Sequence, residues 1–203
     1  GLGANAVDSI TTGDYNVGLG DNAGTAITTA VKNTAIGHGA LSATTTGDLN
    51  TALGYNALAS NVQGDRSVAI GYQALVTQNP SGNADMYNTA VGFNAMNATT
   101  TGTQNTASGA NALAANTTAS NNTAVGYNSL DANTTGSNNI AVGGYALTNS
   151  TTASYGTAVG YNALSANTTG ANNAAVGYEA LKANTTGASN TAVGVQSLLA
   201  NTT

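Results

Sequence analysis

The sequence predicts an all-β chain folded as a parallel β-solenoid of twelve 17-residue coils, and three observations predict it. A 17-residue unit recurs in one phase along the 203 residues, and repetition at a fixed short period is the signature of a stacked architecture. Glycine occupies the same place in every unit. Finally, only 5% of residues are charged and 5% aromatic, with no Trp, so the chain has neither the charge of a disordered segment nor the large side chains of a compact enzyme core.

Written from Thr157, one unit is T-A-V-G-Y-N-A-L-S-A-N-T-T-G-A-N-N, and the next starts at Ala174 as A-A-V-G-Y-E-A-L-K-A-N-T-T-G-A-S-N. Other units start at Val17, Thr34, Thr51, Val68, Thr89, Thr106, Thr123, Ile140 and Thr191, and an incomplete first unit aligns Gly1-Leu2-Gly3 with Gly18-Leu19-Gly20. The only break in phase is an insertion of four residues around 78–82, after which the pattern resumes at Thr89-Ala90-Val91-Gly92. Residues 1–203 therefore read as a single repeat array in which the insertion is a loop.

A unit of 17 residues is too short for two-helix repeats, and its Gly, Asn and Thr are poor in helix interiors. Two short strands per coil are expected, through Thr-Ala-Val and through Ala-Leu-x-Ala, with turns at Gly-Tyr-Asn and Asn-Thr-Thr-Gly. Parallel stacking at about 4.8 Å per coil gives a rod of roughly 55 Å. Position 4 is Gly3, Gly20, Gly37, Gly54, Gly71, Gly92, Gly109, Gly126, Gly143, Gly160, Gly177 and Gly194. Such a ladder implies a backbone angle or a close approach that a Cβ would forbid. Position 3, aliphatic in every unit except at Ser108, and position 8, usually Leu, are expected to form the inward ladders. Ala at positions 2, 7 and 10 suits a narrow cross-section.

The segments Val68-Ala69-Ile70-Gly71-Tyr72-Gln73-Ala74-Leu75 and Thr123-Ala124-Val125-Gly126-Tyr127-Asn128 resemble the head repeats of YadA-like (Hep/Hag) trimeric autotransporter adhesins and the related repeat arrays of tail fibres. The resemblance covers essentially the whole chain, although the familiar adhesin head repeat is shorter. It implies a left-handed β-roll, three chains around a shared axis, and an extracellular location on a cell surface or virion. A host-surface glycan or protein would be the external partner.

Few sequence features point to chemistry. The net charge of −5, with Lys32, Arg66 and Lys182 scattered, offers no basic stripe for nucleic acid. No apolar run is long enough to insert in a membrane as a helix. Absent cysteine removes disulfides and thiolate metal sites. His38, the one histidine, sits at position 5 among aromatic residues and has no second His or Cys with which to build a triad. The carboxylates Asp8, Asp14, Asp21, Asp48, Asp65, Asp85, Asp131 and Glu179 do not recur in pairs and form no calcium loop. Asp14 and Asp48, just after the turn Gly, read as turn residues. Gly18-Leu-Gly20 and Gly37-His-Gly39 lack the context of phosphate loops. The Asn-Thr-Thr turns at Asn116, Asn133, Asn167, Asn184 and Asn201 fit the N-glycosylation sequon, but the same Asn serves a turn.

One surface feature remains. Tyr55, Tyr72, Phe93, Tyr127, Tyr161 and Tyr178 recur at position 5 as a possible contact ladder, for sugars, for other chains or for each other. The expectation is a structural or adhesive segment of an extracellular fibre, not an enzyme, with no catalytic residue, cofactor or metal. One or two large aliphatics per coil make a thin core, so a homo-oligomer is expected, a trimer or else a head-to-tail filament. The alternative is an ice-binding solenoid, suggested by paired Thr rows such as Thr117-Thr118 and Thr134-Thr135. A glycan hydrolase would need an acid/base pair that the sequence does not offer.

Overall fold

A computed structural model describes residues 2–202; Gly1 and Thr203 lie outside the described residues. The chain is a parallel β-solenoid with no helix among those residues. Each coil contributes a three-residue strand at positions 1–3, from Val17–Leu19 to Thr191–Val193, and these stack in chain order into an eleven-stranded parallel sheet. Leu2 extends the stack by an isolated bridge to Leu19. Register is in phase throughout: Thr157 lies beside Ala174 and Ile140, and Ala158 beside Ala175 and Ala141.

Strand geometry decides which side chains fill the interior. Alternate residues point to opposite faces, so position 2 cannot share a side with positions 1 and 3. Ala35, Ala52, Ala69, Ala124 and Ala158 at position 2 are fully buried. The third-position aliphatics consequently point outward, with Leu53 and Val125 exposed. This corrects the expectation that position 3 is an inward ladder. The roll is too narrow for a β-branched side chain beside the alanines, and period two leaves no way for both to enter. Position 8 is inward as expected: Leu41, Leu58, Leu113, Leu130 and Leu164 are fully buried, as is Met96 in the same place. Ala57 and Ala163 at position 7 join them, while Ala43 and Ala166 at position 10 are only half-buried. In the coil from Val17, where position 8 is Gly24, Ile27 fills the core from position 11.

The expected second strand through Ala-Leu-x-Ala is instead a continuous turn. Left-handed backbone recurs there, at position 6 (Asn56 φ 53°, Asn128 φ 52°) and at position 8 (Leu58 φ 52°, Leu130 φ 50°), and again at position 16 (Asn121 φ 61°). A leucine in this region costs about 1–2 kcal/mol. Full burial of its side chain, worth about 1.5–3 kcal/mol, offsets that cost. The turn still bonds to its neighbours, since Leu41 N–H donates to Ala57 O at 3.0 Å and Leu130 N–H to Ala146 O at 3.0 Å. The turns expected at Gly-Tyr-Asn and Asn-Thr-Thr-Gly are present.

A polar column runs beside the apolar one. Asn50, Asn105, Asn122 and Asn139 at position 17 are buried. Each places its Oδ1 to accept the main-chain N–H of the next coil, as from Asn122 to Asn105 at 3.0 Å and from Asn139 to Asn122 at 2.9 Å. Each Nδ2 donates to a carbonyl of the next coil, such as Gly136 O at 3.0 Å from Asn122. Buried amides tolerate burial when so paired. Where position 17 is Ser67, the buried Gln78 reaches across to bond the Ser67 hydroxyl and accept from Asn88 Nδ2 at 3.0 Å.

The insertion bulges from one coil and the array continues. A small second sheet pairs Gly64–Asp65 with Ala84–Asp85. From Asp65 to Val68 is three steps and from Asp85 to Thr89 is four, so one of the four extra residues lies after this pairing and three lie before it. The late one brings buried Met86 into the interior, and Gln104 N–H bonds its carbonyl at 2.8 Å.

Candidate interaction face

The outward side of the long sheet is the main functional candidate. Positions 1 and 3 carry Thr, Val, Ile, Leu, Ala and Ser and no charged residue in the eleven strands. Leu19, Leu53, Val91, Val125, Ile140 and Val176 are all exposed there. The face extends over eleven rungs, about 50 Å at 4.8 Å each. Contiguous exposed apolar surface on this scale marks an interaction site more often than chance exposure.

Two residues further along the chain, position 5 carries the aromatic ladder. His38, Tyr55, Tyr72 and Phe93 stack with centroids 5.3, 5.2 and 5.2 Å apart and planes within 11° of parallel. Tyr161 and Tyr178 stack at 5.9 Å. Between Tyr127 and Tyr161 position 5 is Gly144, and Tyr145 from position 6 fills the rung edge-on, 5.3 and 5.8 Å from its neighbours. Tyr145 was not evident from the position-5 pattern because it is displaced by one residue, although the adjacent Gly144 marks the vacancy that it fills. Stacking covers ring faces within a run and leaves edges and hydroxyls to solvent. Burial raises the Tyr145 hydroxyl pKa above the usual phenol range, and neighbouring Tyr127 and Tyr161 add to this.

The twelve glycines of position 4 form the backbone of this edge. Their φ values run from 121° to 142°. A Cβ on each from Gly3 to Gly177 would lie 2.3–2.8 Å from main-chain atoms of the next coil's Gly, whereas Gly194 has no neighbour within 4 Å. Both expected reasons for glycine, angle and close approach, therefore apply along the ladder.

Most of the remaining candidates are held by structural bonds. His38 is a member of the ring stack. Asp48 Oδ1 accepts Val31 N–H and Asp65 Oδ1 accepts Asp48 N–H, both at 2.7 Å, so each carboxylate ties its coil to the preceding one. Burial pushes the Asp65 carboxyl up, and the Asp48 and Asp85 charges add to that. Asp85 is held low by the Arg66 guanidinium at 2.5 Å and the Tyr87 hydroxyl at 3.0 Å. Glu179 is held low by Lys182 at 2.6 Å and Gln196 at 3.0 Å. Asn116, Asn133, Asn167 and Asn184 of the sequon turns are buried. Their Nδ2 groups donate to the carbonyl three residues on, as from Asn133 to Gly136 at 2.9 Å, so the nitrogen that a glycan would occupy faces inward.

The paired threonines have different roles. Position 12 hydroxyls, such as Thr100, Thr117 and Thr134, donate to the next coil's threonine carbonyl at 3.0–3.1 Å. Position 13 residues Thr118, Thr135, Thr152 and Thr169 are exposed.

No protein-family model, curated protein or solved structure matches the chain.

Proposed function

We propose that the chain is a structural and adhesive segment of an extracellular fibre, non-enzymatic, that works as a homo-oligomer of parallel copies, three around a shared axis. The observation that carries this reading is the uncharged outward face of the sheet, which runs the full length of the array in one register. An interior made of Ala at two positions and a single Leu per coil is thin, and thin cores recruit partners. Packing the outward Val, Ile and Leu rows against copies of themselves would bury the surface that the narrow roll excludes. Cyclic symmetry would bring identical rungs to one axis and limit lateral growth. A rod with no charged rung on its buried face and Asn and Thr elsewhere serves display and adhesion.

Light scattering on the chain tests the reading. The expected mass at micromolar concentration is three times the 19.7 kDa of one copy. Val159→Asp, which places a charge on the outward face, should lower the mass toward one copy while the circular dichroism of the β-solenoid persists. A folded wild-type monomer at that concentration would overturn the proposal. A second reading, ice binding, is favoured by the exposed position-13 threonines repeating once per coil. Thermal hysteresis abolished by Thr135→Lys would support it in place of the first.

A further inference from the structure

We propose that internal water occupies the coil from Ile140 to Gly156 and carries two buried asparagine columns across it. This coil departs from the repeat at two interior places. Position 17, which is Asn139 and Asn173 in the coils on either side, is Gly156, and position 11, which is Asn133 and Asn167 on either side, is Ser150. Both Ser150 and Gly156 are buried. Relative to its neighbours the coil therefore lacks one whole carboxamide side chain and the outer part of a second.

Each substitution strands a polar group. In the position-11 column the Nδ2 of one coil donates to the Oδ1 of the coil before it, from Asn133 to Asn116 at 3.4 Å and from Asn184 to Asn167 at 3.0 Å. Ser150 is too short to continue the column to Asn133. Asn133 Oδ1 and the Ser150 hydroxyl are accordingly both buried with no hydrogen-bond partner in the chain. In the position-17 column the main-chain N–H donates to the preceding Asn, from Asn139 to Asn122 and from Asn190 to Asn173, both at 2.9 Å. The buried Asn173 meets a glycine there instead. Polar groups so placed are costly without a partner.

The coil from Val68 shows that the two columns border one interior space. There position 11 is Gln78, whose Nε2 donates to Ser67 Oγ at 3.0 Å and to Asn61 Oδ1 at 3.4 Å, while its Oε1 accepts from Asn88 Nδ2 at 3.0 Å. Asn61, Ser67 and Asn88 are the counterparts of Asn133, Asn139 and Gly156. One long amide thus closes there what Ser150 cannot. The backbone does not close it either: a Cβ on Gly156 would meet side-chain atoms first, Asn139 Oδ1 at 3.1 Å and Leu147 Cδ1 at 3.3 Å. The groups to be satisfied are an acceptor in Asn133, a donor in Asn173 N–H and a hydroxyl that serves as either. A cation would face the N–H and an anion the Oδ1, whereas water matches all three. Buried waters bond about three such groups and take about 30 Å³ each, so the missing carboxamides make room for on the order of one or two.

Water-selective NOE and ROE spectra of the perdeuterated full chain test the proposal. Asn173 N–H is expected to show water cross-peaks of opposite sign in the two spectra, the signature of water held longer than the rod tumbles. Asn139 N–H, bonded to Asn122, should show none. Gly156→Asn supplies the missing acceptor. It should remove the Asn173 cross-peak and raise the melting temperature by about 1–6 °C, the worth of one net hydrogen bond in a chain of this size. Ser150→Asn, which restores a donor to Asn133 Oδ1, should also raise it, and lower melting of both variants would show an interior without room for water. No cross-peak at Asn173 while its exchange stays slow would overturn the proposal, because the coil would then be closed and dry. Cross-peaks of equal sign, which report bulk solvent, would overturn it too, as would a cross-peak that survives in folded Gly156→Asn.

Discussion

Gly126 is the position where the repeat's chemistry can be tested most directly. Its φ is 133°, and an added Cβ would sit 2.6 Å from Gly143 O. The left-handed residues of positions 6, 8 and 16 cluster near φ 50–60°, a well that L residues reach at moderate cost, whereas 133° lies well beyond it. Strain of this kind costs about 1–3 kcal/mol. Relieving the contact to an ordinary 3.4 Å would need a main-chain shift of 0.8 Å (3.4 − 2.6), and overpacking of that order adds about 1–3 kcal/mol. Gly126→Ala should therefore destabilise by about 2–6 kcal/mol. Two controls separate the contributions. Gly82→Ala, at φ 88° with nothing within 4 Å, carries strain alone, and Gly144→Ala, whose nearest contact is 3.4 Å from the Tyr161 ring, carries neither. The order of melting temperatures should be Gly144→Ala above Gly82→Ala above Gly126→Ala, each kcal/mol being about 2–4 °C for a chain of this size. Hydrogen exchange at Gly126 N–H, bonded to Ser108 O at 2.8 Å, and at Gly143 N–H, bonded to Val125 O at 2.7 Å, should accelerate most. Melting of Gly126→Ala level with Gly144→Ala would refute the reasoning.

Asn122→Ala strips acceptor and donor from the buried column, leaving Asn139 N–H unpaired and Gly136 O with the Asn133 amide as its remaining side-chain donor. The expected loss is about 1–3 kcal/mol by urea unfolding, against under about 1 kcal/mol for exposed Thr118→Ala, and equal losses would show that the column contributes nothing. Asp131 is half-buried and its carboxyl is raised by burial. The folded state therefore binds its proton more tightly than the unfolded state, and its destabilising effect at neutral pH fades as pH falls through the raised folded value toward the ordinary carboxylate range. Asp131→Asn should raise the melting temperature at pH 7 and lose that advantage in acid, and no difference from wild type at pH 7 would count against the desolvation argument.

The solenoid, its period and phase, and the glycine ladder are legible because a stacked fold repeats its demands in sequence. Gly at position 4 appears in every unit because every coil makes the same approach to the next. What the residues conceal is backbone handedness at ordinary side chains. Nothing about Leu58 or Leu130 signals a left-handed φ, since the burial that offsets its cost exists only once the coils are stacked. The direction of position 3 was recoverable, because Ala at position 2 and Val at position 3 cannot both face inward along a strand, and twelve coils with alanine at nearly every position 2 select the smaller side chain for the narrow interior. That reversal changes the functional argument. Inward valines would have made each chain more self-sufficient, whereas outward valines in eleven aligned rungs leave the solenoid with an unspent apolar face. The recurrence of Asn at position 17 was also visible, and its burial explains why the chain is rich in Asn without being disordered: the amides replace the missing apolar mass with a ladder in which each coil closes the hydrogen bonds of the one before it. The ring ladder shows the same logic at the surface. A gap at Gly144 is repaired from within by Tyr145 and a gap at Ala110 is not, so the coil whose position 3 is polar is also the one at which the ring ladder stops and starts again.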